Sequence, residues 1–224
     1  HLIRGDQFAD SYSLLIKSDD MEYYSNRITK SAEKLRYIHK IHEVITNKNN
    51  VNVVIPNDEA WIMDYRADYM EKRTMDRKKY DLDILYEELE EDPDDPRTYY
   101  YLAQTYNLLN NHEKAAEFFY KRAFHKNEGF LQEKIDATFE LARTLNFKLN
   151  KPWSEVEPVY KKAYELDKSR PDSLYFIGIH YYLEKDFNRA YTYFLQAFEK
   201  GYPVHAQFSL KPTLSFYYLP RYLA

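Results

Sequence analysis

The chain has 224 residues, room for one large or two small domains, and its 44% hydrophobic content supports a sizeable core. A charged fraction of 30% with 4 glycines suits helical architecture, and a small, mixed formal charge of −4 argues against nucleic acid as a partner. No apolar run approaches the ~20 residues of a membrane helix; zero cysteines exclude disulfides and thiolate metal sites and fit a reducing, cytoplasmic setting.

The first residue is His1 rather than Met, and no signal-peptide pattern follows it, so the start is expected to be a cut boundary with a natural portion upstream. Phe8 to Lys17, FADSYSLLIK, holds a short apolar run that predicts a strand, and Asp19-Asp20 a turn. Met21 to Lys30 reads as a second strand if extended, or as a helix with Tyr24 and Ile28 on one side. Arg36 to Thr46, RYIHKIHEVIT, alternates two sets of residues and is rich in Ile and Val, which predicts one strand. Within it His42-Glu43 invites a functional reading, although neighbours on a strand point to opposite faces and the pair serves equally as surface residues of a sheet edge. Asn47 to Asn50 predicts a loop, Val51 to Ile55 a short strand, and Pro56-Asn57-Asp58 a turn. Strands this short suggest the edge of a larger α/β domain.

From Tyr65 to Glu91 the composition turns to helix formers. Leu82, Leu85, Tyr86 and Leu89 fall at i, i+3, i+4 and i+7, an apolar stripe suited to docking on the first repeat. Arg66, Lys72, Arg73, Arg77, Lys78 and Lys79 make a basic cluster, with acids interleaved at Asp68, Glu71 and Asp76. Such a helix face is normally solvated and laced with i,i+4 pairs; the sharper reading puts Arg73, Arg77 and Lys78 beside an anionic diphosphate. Asp81 and Asp83 stand two apart on the same helix, so their carboxylates diverge and make a poor cation site.

Asp94 to Lys126 reads as a helical hairpin, with helices over about 97–109 and 112–124. Pro96 suits a first helical turn and Asn110-Asn111 a tight reversal. Small Ala103 and Ala115 let two backbones approach, and Tyr106 and Phe119 fill the space beside them. The spacing recurs as Gly178, Tyr181, Ala190 and Phe194 within Pro171 to Pro203. Lys134 to Asp167 is a looser copy, with Leu141, Ala142, Leu145, Val156, Tyr160 and Ala163 and a middle about two residues longer. The pattern resembles the tetratricopeptide (TPR) repeat, a helix pair of about 34 residues, and three copies suffice for a self-supporting stack. The tail from Val204, apolar with Pro212 and Pro220, is expected to close the array with one or two packing helices. The concave surface should be lined by Tyr100, Gln104 and Asn107, by Phe139, Arg143 and Asn146, and by Tyr175, Ile179 and Tyr182. That aromatic, amide-rich set suits a peptide, a protein or a glycan, or the chain's own tail.

The segments together resemble the C-terminal half of family-2-like (GT-A) glycosyltransferases with a TPR extension, a type found in bacteria and large DNA viruses. Three stretches carry the likeness: Asn26-Arg27-Ile28 with Lys40 to Val44; Lys72 to Tyr106; and Phe119 to Arg122, where Arg122 replaces the small residue of a plain TPR. The resemblance implies a nucleotide-sugar donor and a divalent metal (Mn or Mg) in the parent enzyme, with no cofactor held by this chain. It places His42 and Glu43 as catalytic candidates and Arg27, Arg73, Arg77 and Lys78 as donor or phosphate contacts. It also puts Asp64 where the family often has a His, in a strand near Ile62.

The expected fold is mostly α, a TPR-like array of about three hairpins preceded by a small β-containing remnant of an α/β domain. The divisions are 1–62 (sheet edge), 63–92 (connector helix), 93–203 (repeats) and 204–224 (capping tail). The expected function is that of a glycosyltransferase's C-terminal region, with repeats binding an acceptor or partner. The alternative is a non-catalytic TPR scaffold for protein–protein interaction.

Overall fold

The structure, a computed structural model, describes residues 9–18, 22–46, 51–65, 69–203, 206 and 211–224. The chain divides into two compact units, 1–73 and 74–224.

The first unit is built on strand β1, Ser11–Lys17, whose apolar run is buried along most of its length. Buried residues follow one another along it, so side chains on both faces of the strand are covered. Antiparallel β2, Glu22–Thr29, takes one edge, so the extended reading of that segment is the one adopted. Two short parallel strands, β5 (Asn52–Val54) and β6 (Trp61–Met63), share the other. The buried hydroxyls of Ser11 and Ser13 meet the Asn52 side chain at 3.0–3.3 Å, which satisfies them inside the sheet. Residues 36–46 are not the single strand expected from their alternation. They form a hairpin, β3 (Arg36–Ile38) against β4 (Val44–Thr46), with Ile38 opposite Val44. His39 and His42 sit at φ 71 and 52, left-handed values that a continuous strand cannot contain. The Asp19-Asp20 turn lies outside the described residues.

The second unit is helical. Helix α1, Tyr69–Glu91, begins before the division at 73; it buries Leu85, and its Tyr86 packs edge-on to Phe118 at 6.3 Å. Three hairpins follow: α2 (Pro96–Leu108) with α3 (His112–Ala123), α4 (Leu131–Arg143) with α5 (Trp153–Leu166), and α6 (Asp172–Leu183) with α7 (Phe187–Lys200). Asp95 caps α2 by accepting from the Arg97 and Thr98 amides, and Pro96 takes the first turn. The outer two hairpins reverse identically. Asn110 and Lys185 take left-handed φ values of 59 and 62, and the next residues, Asn111 and Asp186, cap α3 and α7. In the middle hairpin α4 runs on into a π-helical turn, Thr144–Lys148, which accommodates the longer linker.

Packing follows the small-and-large spacing. Ala103, Ala115, Ala142, Ala163, Ala190 and Ala197 are buried where helices approach. At Gly178 a Cβ would stand 2.7 Å from the Phe194 ring, so only glycine lets that ring lie on the α6 backbone. One apolar core runs through the second and third hairpins, from Phe139, Val156 and Tyr160 to Ile177 and Phe194. It also takes in Leu214 and Leu219 from a π-helical turn, Leu214–Tyr218, and a terminal helix α8, Leu219–Leu223.

The junction of the first and second hairpins is polar. Arg122, fully buried on α3, donates from Nη2 to the carbonyls of Glu128 and Phe130 at 2.9 and 2.7 Å. It thereby fixes the loop that launches α4. Gly129, between them, has φ 55 and lies so near Pro96 that a Cβ would come within 2.9 Å of its Cγ. Arg97 pairs with buried Glu133, and the Tyr100 hydroxyl donates to Asp136 at 2.8 Å. Burial pushes the Glu133 carboxyl up to about 7, against the pull of Arg97 and Arg122.

Arg122→Ala takes a donor from the Glu128 and Phe130 carbonyls and a positive charge from beside buried Glu133, and should cost about 3 kcal/mol, a fall in Tm of roughly 6–12 °C. Arg122→Met, which keeps the packing volume, should cost less in the same thermal melt. Glu133 in the folded chain holds its proton more tightly than in the unfolded chain. The stability it contributes is therefore full below pH ~4.5 and lost as pH rises through about 7. Between pH 5 and 8 the native protein should lose about 3 kcal/mol relative to Glu133→Gln. Equal slopes of stability against pH in the two proteins would contradict the assignment.

Candidate functional site

A surface cleft of about 1050 Å³ opens where the start of α5, the end of α6 and the start of α7 converge. Pro152 breaks the chain just before α5 and places Trp153 at that helix's first turn. There the indole stacks on His180 of α6, ring centroids 3.7 Å apart and planes within 10°. The tight turn at Lys185 brings Asp186, Phe187 and Arg189 to the opposite wall. Arg189 lies over the Tyr181 ring at 4.2 Å, with its Nε donating to Asp186 at 2.5 Å. The Tyr181 hydroxyl donates to Glu157, which also pairs with Lys161 at 2.9 Å. Phe187 projects into solvent, 59% exposed. The Trp153 indole N–H is buried and has no hydrogen-bond partner among the described residues. Burial lowers the His180 pKa below the ordinary imidazole value; Arg189 acts in the same direction, and Glu184 and Glu157 oppose it.

The expected groove residues have a different fate. Tyr100 does not line an open surface: it is 3% exposed and bonded to Asp136, because the next hairpin's first turn covers it. Tyr175 is also buried, in ring contact with Tyr218 and Tyr222 of the tail. Gln104, Asn107 and Arg143 are half-buried. Asn107 Oδ1 lies 3.2 Å from His112 Nδ1. Arg143 is held by Glu140 and covers the rings of Phe139 and Phe176. Of the set in the third hairpin, Tyr182 remains open, 43% exposed.

The residues assigned to sugar chemistry fall on separate elements. His42 and Glu43 lie in the five-residue turn between β3 and β4 rather than on a strand, and Arg27 is exposed on β2. In the helical unit Lys78 donates to buried Asp81 at 2.9 Å, with Arg77 3.7 Å from the same carboxylate. These two cations thus neutralise an acid of their own helix. Arg73 falls on α1, but its side chain is outside the described residues. Among the described residues no group of three or more His, Asp or Glu side chains is placed to hold a metal ion. Asp81 is occupied by Lys78 and Asp83 faces solvent, so the two carboxylates do not form a shared cation site. No described helix is long and apolar enough to cross a membrane.

No protein-family model matches the chain, and no curated protein matches it. Among solved structures, BtubC (BKLC) from P. vanneervenii aligns with a TM-score of 0.53 at 19% identity, over 68% of this chain and 66% of its own. MamA from Desulfovibrio magneticus RS-1 aligns at 0.46 and 16% identity, over 59% of this chain and 72% of its own. TTC0263, a thermophilic TPR protein of Thermus thermophilus, aligns at 0.37 and 20%, over 58% and 69%. The likeness is one of fold: the chain is a mostly helical, TPR-like array preceded by a small sheet region. Nothing in it supports a glycosyltransferase origin, or a glycan or nucleotide-sugar ligand.

By NMR the His180 ring should titrate below 6.5, and Trp153→Ala, which uncovers it, should move the midpoint back toward that value. A midpoint unmoved by the substitution would mean that the indole does not shield the imidazole.

Proposed function

We propose that the chain is a protein-interaction scaffold with no catalytic role, docking a peptide segment of a partner in the cleft between the second and third hairpins. The observation that carries this reading is the composition of the cleft wall. Trp153, Tyr181, Phe187 and Arg189 converge on one recess, and aromatic residues with Arg are the side chains that dominate binding energy at protein interfaces. The walls are held in place before any partner arrives, by the Trp153–His180 stack on one side and the Asp186–Arg189 pair on the other. Ordering costs on binding are correspondingly low. A TPR-like fold supports this function more directly than sugar transfer, since each hairpin adds surface without assembling reactive groups.

The test uses peptides selected from a phage-displayed library on the full chain. Phe187→Ala and Arg189→Ala should each weaken the selected peptides tenfold or more, about 1.4 kcal/mol, with circular dichroism unchanged because both side chains are exposed. Unchanged affinity in both variants would remove the cleft from the interaction. Mn²⁺-dependent turnover of a UDP-sugar, lost in Glu43→Gln, would restore the enzymatic reading.

A further inference from the structure

The third hairpin carries a second surface, and the chain's own tail sits on it. Tyr175 and Tyr182 occupy the positions of α6 that the repeat spacing assigns to the concave side. Tyr222 meets both, at 6.1 and 5.2 Å, and stacks on Phe194 of α7 at 4.8 Å and 19°. Leu214 and Leu219, 4% and 1% exposed, enter the same core. The Lys211 ammonium lies 5.2 Å over the Phe139 ring of the preceding hairpin. The tail thus grips by side-chain anchors. Among the described residues its backbone hydrogen bonds are local: Ala206 to Pro203, Leu214 to Lys211 and Ala224 to Pro220.

We propose that this face of α6 and α7 is a docking site for an amphipathic helix of a partner protein, which residues 211–224 occupy in cis and which such a helix enters by displacing them. The proposal rests on the scaffold reading and adds to it a second site and the partner's chemistry. The tail shows what the face accepts: two aliphatic anchors and an aromatic one, presented from helical backbone. It presents them poorly. Its helical run, 212–223, contains the π-helical turn and Pro220, and so short a helix does not hold its shape in water unaided. An uninterrupted helix with Leu at i and i+4 and Tyr or Phe at i+7 or i+8 offers the same anchors without the π-helical turn or the proline. That is the helix-in-groove mode of recognition.

The test uses the full chain and one probe, a fluorescein-labelled peptide of residues 211–224 carrying P220A. Hydrogen exchange on the native protein comes first. Amides of 214–224 should exchange at least a hundredfold faster than those of α6 and α7, since the tail opens without the array unfolding. By fluorescence anisotropy, Tyr222→Ala should bind the probe at least tenfold tighter than the native chain, whose intact tail competes. Exchange of the tail at the rate of α6 and α7 would overturn the proposal and make the tail a fixed cap. So would a folded Tyr222→Ala that gains no affinity. Should Tyr222→Ala prove unfolded, the exchange measurement on the native chain decides by itself. Peptides selected at the Phe187–Arg189 cleft would be unaffected by either negative result, which separates failure here from failure of the scaffold reading.

Discussion

A buried guanidinium holds the array's first junction together. Arg122 stands where a TPR-like helix would place a small residue, and it has no exposure. Its partners are the carbonyls of Glu128 and Phe130, the last backbone groups before α4 begins. The angle at which the second hairpin leaves the first is therefore set by hydrogen bonds from a charge, rather than by packing of a methyl group. Burying that charge is expensive, and the nearby Glu133, itself buried and bound to Arg97, offsets part of the cost. The same acid is pushed toward its neutral form, so the junction's electrostatic balance shifts with pH where ordinary repeat packing would not.

Beyond that junction the second and third hairpins hold together differently. From Phe139 through Tyr160 and Phe176 to Tyr175, ring contacts at 5–6 Å run through the second and third hairpins. The 24 tyrosines of the chain are the means. A phenol can pack its face against a neighbour and send its hydroxyl to a carboxylate, as Tyr100 does with Asp136 and Tyr181 with Glu157. The array thereby combines an apolar interior with polar ties between neighbouring elements.

Much of this was legible in the sequence because repeat packing has a fixed period. Ala103, Tyr106, Ala115 and Phe119 repeat their spacing at Gly178, Tyr181, Ala190 and Phe194, and that agreement gave the hairpins, their order and nearly their ends. Period alone failed at β3 and β4, since alternation continues through His39 to Glu43 while the backbone reverses at two left-handed histidines. The cleft leaves no periodic trace in the sequence for a related reason. Its residues come from helix ends and turns, where no periodic signal exists; Trp153 just after Pro152, and Phe187 beside a capping Asp186, were the cues available. Arg122 stands out in the sequence only as a departure from the repeat. Its physical role could be seen only once the 128–130 loop was in place.

The two surfaces of the third hairpin meet at one side chain. Tyr182 contacts Tyr222 of the tail at 5.2 Å and Phe187 of the cleft at 5.7 Å, and it remains 43% exposed between them. A ring held edge-on by both neighbours cannot lose one contact without changing what it presents to the other. On the proposed displacement of the tail, Tyr182 would lose its contact with Tyr222 and keep that with Phe187 at the border of the cleft. The same ring therefore packs the tail onto α6 and borders the recess at Phe187, so the two proposed surfaces share one side chain.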